Sequence, residues 1–137
     1  MSTAIVCARE PDLLVQDFCR VLLESGLGAT RPVDDLHRVR RMLAGADLVM
    51  TARRTNGELV GVARCLTDFV WIAYLSELAV SKQAQGLGVG KQLLQAVRDE
   101  LGPQVTLALA SMPDVVGFYE QFGMPRMPDA FHLRRQA

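Results

Sequence analysis

The residues best suited to chemistry lie in Gln85-Gly86-Leu87-Gly88-Val89-Gly90-Lys91. Glycines at 86, 88 and 90 put no side chain over the backbone, so its N–H groups can approach an anion closely. An apolar, strand-like run ends just before this stretch at Val80, and helical periodicity begins near Gly90. A helix opening directly behind the loop adds orphan N–H donors and the positive end of its macrodipole. Strand, glycine loop and helix N-terminus together form a phosphate cradle. The spacing points to a phosphorylated cofactor.

Two familiar phosphate loops fail against that spacing. A P-loop needs G-x-x-x-x-G-K followed by Ser or Thr. Only three residues separate Gly86 from Gly90, and Gln92 follows Lys91, so the hydroxyl that would hold magnesium is missing. The dinucleotide pattern G-x-G-x-x-G, counted from Gly86, puts Lys91 where the third glycine belongs. Its acidic residue, expected about 20 positions on, is absent too, because Asp99 and Glu100 fall late in the following helix.

Gln85, Gly88 and Gly90 do fit Q-x-x-G-x-G. This resembles the acetyl-CoA-binding motif of the GNAT superfamily of N-acetyltransferases: Arg or Gln, two residues, Gly, one residue, then Gly or Ala. Tyr74-Leu75-Ser76-Glu77-Leu78-Ala79-Val80 looks like the family's fourth strand. Phe118-Tyr119-Glu120-Gln121-Phe122-Gly123-Met124 looks like its later helix end, with Met124 replacing the usual final aromatic. The resemblance covers residues 46 to 124 well and the ends more loosely. Three blocks in the right order outweigh one glycine-rich pattern.

The resemblance implies acetyl-CoA as co-substrate. Gln85, Gly86, Leu87, Gly88, Val89, Gly90 and Lys91 would take the pyrophosphate. Lys91 is equally readable as a solvated lysine at a helix start. Leu78, Ala79 and Val80 would lie along the pantetheine arm, on a strand bulged in the family so that free backbone groups can bond the arm and polarise the acetyl carbonyl, as an oxyanion hole does. Tyr119 is the candidate general acid. A phenol of pKa about 10 can protonate a departing thiolate of pKa about 8.5. Tyr119 also shares helical spacing with Val115, Phe118 and Phe122, so core packing is the competing reading. For the general base, Glu77 comes first, with Asp68 or a chain of waters as alternatives, since an alkylamine of pKa about 10 must lose a proton before attack. The acceptor pocket would form around residues 25 to 31.

Positioning these groups takes a particular set of elements. Ala4-Ile5-Val6-Cys7 reads as a short strand, and Pro11 and Asp12 open a helix that stops at Gly26. Pro32 opens a second helix ending at Gly45. Leu48-Val49-Met50 and Leu59-Val60-Gly61-Val62-Ala63 form a hairpin around Asn56-Gly57. A largely buried strand follows over 69–80, including Val70, Trp71, Ile72 and Tyr74. After the loop come a helix with Leu93, Leu94, Val97 and Leu101 on its inner face, ended by Gly102-Pro103, and a strand over 105–110. Ser111-Met112-Pro113-Asp114 fits a capping box for a short helix ending at Gly123, and Phe131-His132-Leu133 reads as a last strand. The expected fold is α+β: a mixed, mostly antiparallel central sheet flanked by helices, not a doubly wound one. The GNAT fold has this layout, with splayed fourth and fifth strands, here 69–80 and 105–110.

Composition narrows the function classes. The 137 residues fit a single domain, 1–137. With 15 basic and 15 acidic residues the net charge is zero, which argues against a dedicated nucleic-acid or membrane-surface binder. No apolar run approaches the roughly 18 residues of a membrane span, and no secretory pattern opens the chain. The cytoplasm is therefore the expected compartment. Cys7, Cys19 and Cys65 read as reduced thiols, and neither they nor His37 and His132 show metal-ligand spacing, so no metal is expected. The expected activity is acetyl-CoA-dependent N-acetylation of a primary amine, first of all a small molecule. The alternatives are a protein amino group as acceptor or a non-catalytic acyl-CoA-binding module. A homodimer stays open.

Overall fold

Four consecutive apolar segments are joined by short connections or one helical excursion, and the sheet follows from that order. In the computed structural model, which describes residues 4–137, β1 (Ile5–Arg9), β2 (Leu48–Arg54), β3 (Leu59–Thr67), β4 (Ile72–Val80) and β5 (Thr106–Ala108) form one sheet in sequence order. β1 to β4 are antiparallel. β5 runs parallel to β4, which requires a crossover, and helix α3 (Val89–Leu101) supplies it. Gly57 turns the β2–β3 hairpin at φ +94°.

Helices cover both faces. Phe18, Val21 and Leu22 of α1 (Val15–Ser25) and Val39 of α2 (Leu36–Ala44) pack with Val49, Val62 and Ala79. On the other face Leu93, Leu94 and Val97 of α3 pack with Met50, Ala63 and Leu75, and α4 (Val116–Phe122) adds Phe118, Tyr119 and Phe122. Among the described residues no helix is long and apolar enough to cross a membrane.

Two irregularities of β4 open the sheet. Arg64 pairs with Glu77 but Cys65 pairs with Leu75, so Ser76 is an extra residue that bulges the strand. Pairing with β5 also stops at Tyr74↔Ala108 while β4 continues to Val80. From Leu75 onward that edge of β4 has no strand beside it among the described residues. This is the expected splay.

Local chemistry shifts several expected boundaries. Leu13 N–H turns back to the Glu10 carbonyl at 3.3 Å, so Pro11 and Asp12 lie in a turn and α1 begins only at Val15. Asp35, not Pro32, opens α2: its side chain accepts the Arg38 N–H at 3.1 Å. The Asp68 carboxylate accepts the N–H groups of Val70, Trp71 and Ile72, and Phe69 takes φ +60°, so the β3–β4 turn extends to residue 71. Val70 and Trp71, expected inside, are 71% and 74% exposed. The Ser111 hydroxyl donates to the Met112 carbonyl at 2.7 Å, so no capping box forms, and a 3-10 turn (Pro113–Val115) leads into α4. Among the described residues Phe131-His132-Leu133 pairs with no strand, and Phe131 and Leu133 are fully solvated.

Candidate active site

β4 delivers the chain into the loop through a 3-10 turn (Lys82–Ala84) anchored by the buried Ala84. The Gln85 side chain folds back and donates to the Val80 carbonyl at 2.9 Å, closing the loop against the strand end. Gly86 and Gly88 take φ +85° and +77°, and a Cβ on either would meet nothing within 4 Å, so the loop rim is open space. Gly88 is also the N-cap of α3, whose first intrahelical bond joins Gln92 N–H to the Gly88 carbonyl at 3.0 Å. The N–H groups of Val89, Gly90 and Lys91 thus have no acceptor within the helix and point out of its first turn.

Gly90 has a packing reason to be small besides its place in the motif. A Cβ there would lie 3.3 Å from two Phe118 ring atoms. The absence of a side chain at Gly90 therefore lets α3 and α4 meet, while the residue also lines the cleft. Lys91 is free of ion pairs among the described residues and lines the cleft. Leu87 is half exposed and lies off the cleft wall, so only its backbone can contribute.

From this loop a cleft of about 820 Å³ runs along the open edge of β4. Its size suits a small-molecule site. Leu75, Ser76, Leu78, Ala79 and Val80 form one wall, with Leu109, Ala110, Phe118, Tyr119 and Phe122 opposite. Ser25, Gly26, Leu27 and Arg31 form the far end. Leu78 and Val80 face the α3 side, whereas Ala79 packs into the core under α1. Leu78, Ala79 and Val80, expected along the pantetheine arm, thus all border the cleft, Ala79 with little side-chain exposure.

Tyr119 comes to the cleft half-buried, its ring edge-to-face on Phe118 at 5.0 Å and 83°. Burial pushes its pKa up, so the phenol stays protonated at neutral pH. Its hydroxyl bonds no described side chain or carbonyl, yet among the described residues every fully buried side-chain N or O has a partner. The hydroxyl is thus reachable from the cleft, with a proton to give.

Glu77 does not sit as a general base should. The residue is 1% exposed and its side chain points away from the cleft, toward α1 and α2. Arg64 grips both carboxylate oxygens, through Nε and through Nη2 at 3.2 Å. Arg31 Nε donates at 2.7 Å and Ser76 Oγ at 2.8 Å. Burial alone would raise the pKa, but the hydrogen bonds and charge of Arg64, with those of Arg31 and Ser76, outweigh it and hold the carboxyl low. A carboxylate with both oxygens occupied and a depressed pKa has little affinity for a proton. Asp68 is spent on the β3–β4 turn, whose N–H groups, led by that of Trp71, keep its pKa low, and it does not line the cleft.

Arg64 and Ser76 are the residues that sequence reasoning missed. A signal existed: Arg64 and Glu77 are opposite charges, each alone within an apolar strand run, and such charges are buried only as a pair. Among the described residues no group of three His, Cys, Asp or Glu is placed to hold a metal ion.

Five mixed strands, a bulged and splayed β4 and a glycine loop at a helix N-terminus define an acyltransferase fold of GNAT type. The chain belongs to that family: the profile of the acetyltransferase (GNAT) domain matches residues 29–131. It is 36% identical over 98 residues to serotonin N-acetyltransferase 2, chloroplastic, of Oryza sativa subsp. japonica, which covers 68% of this chain and 49% of that protein. It is 32% identical over 102 residues to an uncharacterized N-acetyltransferase of Pyropia yezoensis, covering 69% and 57%. The chain thus spans about half the length of the curated relatives it matches. A crystallised acetyltransferase candidate from Deinococcus radiodurans R1 superposes with a TM-score of 0.76 at 28% identity, covering 97% of this chain and 90% of the other. A GNAT family acetyltransferase from Streptococcus pneumoniae TIGR4 shares the fold, with a TM-score of 0.75 at 19% identity and 98% coverage of each.

Proposed function

We propose that this chain is an acetyl-CoA-dependent N-acetyltransferase that moves the acetyl group directly to a primary amine of a small molecule. The observation that carries the reading is the continuity of one cleft from the glycine loop, along the unpaired edge of β4, to the Tyr119 hydroxyl. The residues fit the co-substrate: open space over Gly86 and Gly88 leaves a cradle that any Cβ would narrow, and a bare strand edge continues from it. Acetyl-CoA, when bound, supplies an activated thioester.

The rest is the work of this chain. Loop N–H groups and the start of α3 hold the diphosphate, each bond to a charged oxygen contributing about 1.5–3 kcal/mol. The free N–H and C=O groups of β4 past the Ser76 bulge orient the pantetheine arm, and one N–H polarises the acetyl carbonyl. Tyr119 protonates the departing thiolate. With Glu77 and Asp68 engaged elsewhere, the amine loses its proton to water in the cleft. The serotonin N-acetyltransferase relative makes serotonin the first acceptor to try.

A screen of amines with acetyl-CoA, read by release of free thiol, tests this. Thiol release that depends on the amine supports the enzyme reading. CoA binding without release under any amine would leave a non-catalytic acyl-CoA-binding module instead.

A further inference from the structure

The Arg31–Glu77–Arg64 cluster is too elaborate for a core ion pair. Arg64 would satisfy Glu77 by itself, through two of its nitrogens. Arg31 nevertheless reaches in from the far end of the cleft and spends two donors on β4: Nε on Glu77 at 2.7 Å and Nη2 on the Ser76 carbonyl at 2.6 Å. Its Nη1 holds the Thr30 carbonyl and hydroxyl, at 3.3 and 3.0 Å. Ser76 is the bulge residue, and its hydroxyl is itself fixed between Arg64 Nη2, at 3.1 Å, and Glu77. Arg64 Nη1 ties the same cluster to the Met42 carbonyl of α2 at 3.2 Å.

We infer that Arg31 is a positioning residue: with Glu77 as the buried post, it locks the acceptor-side segment of residues 25–31 to the Ser76 bulge of β4. This rests on the acetyltransferase reading, since the bulge is the part of β4 that would orient the thioester. The planar guanidinium suits the task because it bonds a carboxylate and a carbonyl at once in a fixed geometry, which a lysine ammonium on a flexible stem does not. Segment and bulge thus hold one relative position before any acceptor enters. A misplacement of about 1 Å at such a site costs up to about 10²-fold in rate, so the lock acts on turnover and not on cofactor affinity.

Glu77→Gln strands Arg64 in the core and can unfold the chain, so the test uses Arg31, at the cleft rim. Hydrogen–deuterium exchange is read on wild type, Arg31→Gln and Arg31→Lys without substrates, and turnover and CoA affinity are read on the same proteins. The lock predicts that one substitution accelerates exchange in both segments, 25–31 and 74–80, by about tenfold or more, with Arg31→Lys between wild type and Arg31→Gln. It also predicts a lower kcat in the same order, unchanged CoA affinity and an unaltered shape of the pH–rate curve. Unchanged exchange over 74–80 in Arg31→Gln overturns the inference, as does a raised acceptor KM at constant kcat, which would make Arg31 a direct acceptor contact. The exchange readout needs no activity. A wild type that acetylates nothing therefore refutes the proposed function while still deciding the lock.

Discussion

Tyr119 and Glu77 show how surroundings assign work to a side chain. Tyr119 is sequestered enough to stay protonated, yet its hydroxyl is open to the cleft and has no partner among the described residues. Tyr119→Phe removes that hydroxyl and keeps the ring on Phe118, so turnover should fall by about 10²–10⁴-fold with CoA affinity near wild type. Single-turnover kinetics with chemistry rate-limiting would check this, and near-normal rates would make Tyr119 a packing residue. Glu77 has the opposite environment: arginines on both oxygens and a folded-state pKa below its unfolded one. A depressed carboxyl pKa adds stability that is present above the unfolded value, about 4.3, and disappears as pH falls through the folded value. Melting of wild type should thus lose stability steeply below about pH 4.3. Glu77→Gln should already be weakened by about 3–5 kcal/mol at pH 7, with Arg64 unpaired in the core, and should lose less on acidification. Equal acid sensitivity in the two proteins would contradict the buried pair.

Among the elements, α3 does two jobs from one turn. Behind the Gly88 cap its first turn presents the free N–H groups of Val89, Gly90 and Lys91, while the missing side chain of Gly90 lets Phe118 of α4 approach. Substitutions two residues apart should therefore have different signatures. Gly90→Val forces apart the helices that carry the loop and Tyr119, and should cost about 1–3 kcal/mol by urea unfolding. Unchanged stability would mean that the Phe118 contact is loose. The motif in the sequence does not separate these roles, because it records that both positions need glycine but not why. Other elements were legible to different degrees. The Gly26 and Gly45 stops, the Asn56-Gly57 hairpin and the inner face of α3 were plain, since each is fixed by local chemistry or periodicity. The tip of the β3–β4 hairpin was not. Val70, Trp71 and Ile72 have strong strand propensity, but the Asp68 carboxylate captures their N–H groups and the turn exposes them.

At the scale of the molecule, the meander and the crossover followed from element order, the gap between β4 and β5 was an implication of the family resemblance, and the cleft follows from the gap. The partners of a buried charge did not. Glu77 lies 13 residues from Arg64 and 46 from Arg31, so its environment is set by sheet register and by how α1 leads into the 25–31 segment. A glutamate beside a bulge reads as a base until those two guanidiniums are in place.

The proposed chemistry depends first on the loop acting as a diphosphate cradle. Calorimetric titration of CoA into wild type and Gly88→Glu tests it, because the glutamate adds bulk and negative charge at the N-cap of α3 while its side chain meets nothing within 4 Å at Cβ. The melting temperature of the variant is measured alongside. The expected result is saturable one-to-one binding by wild type and none by a Gly88→Glu protein that remains folded. Equal CoA affinity in the folded variant, or no binding by wild type, would contradict the assignment.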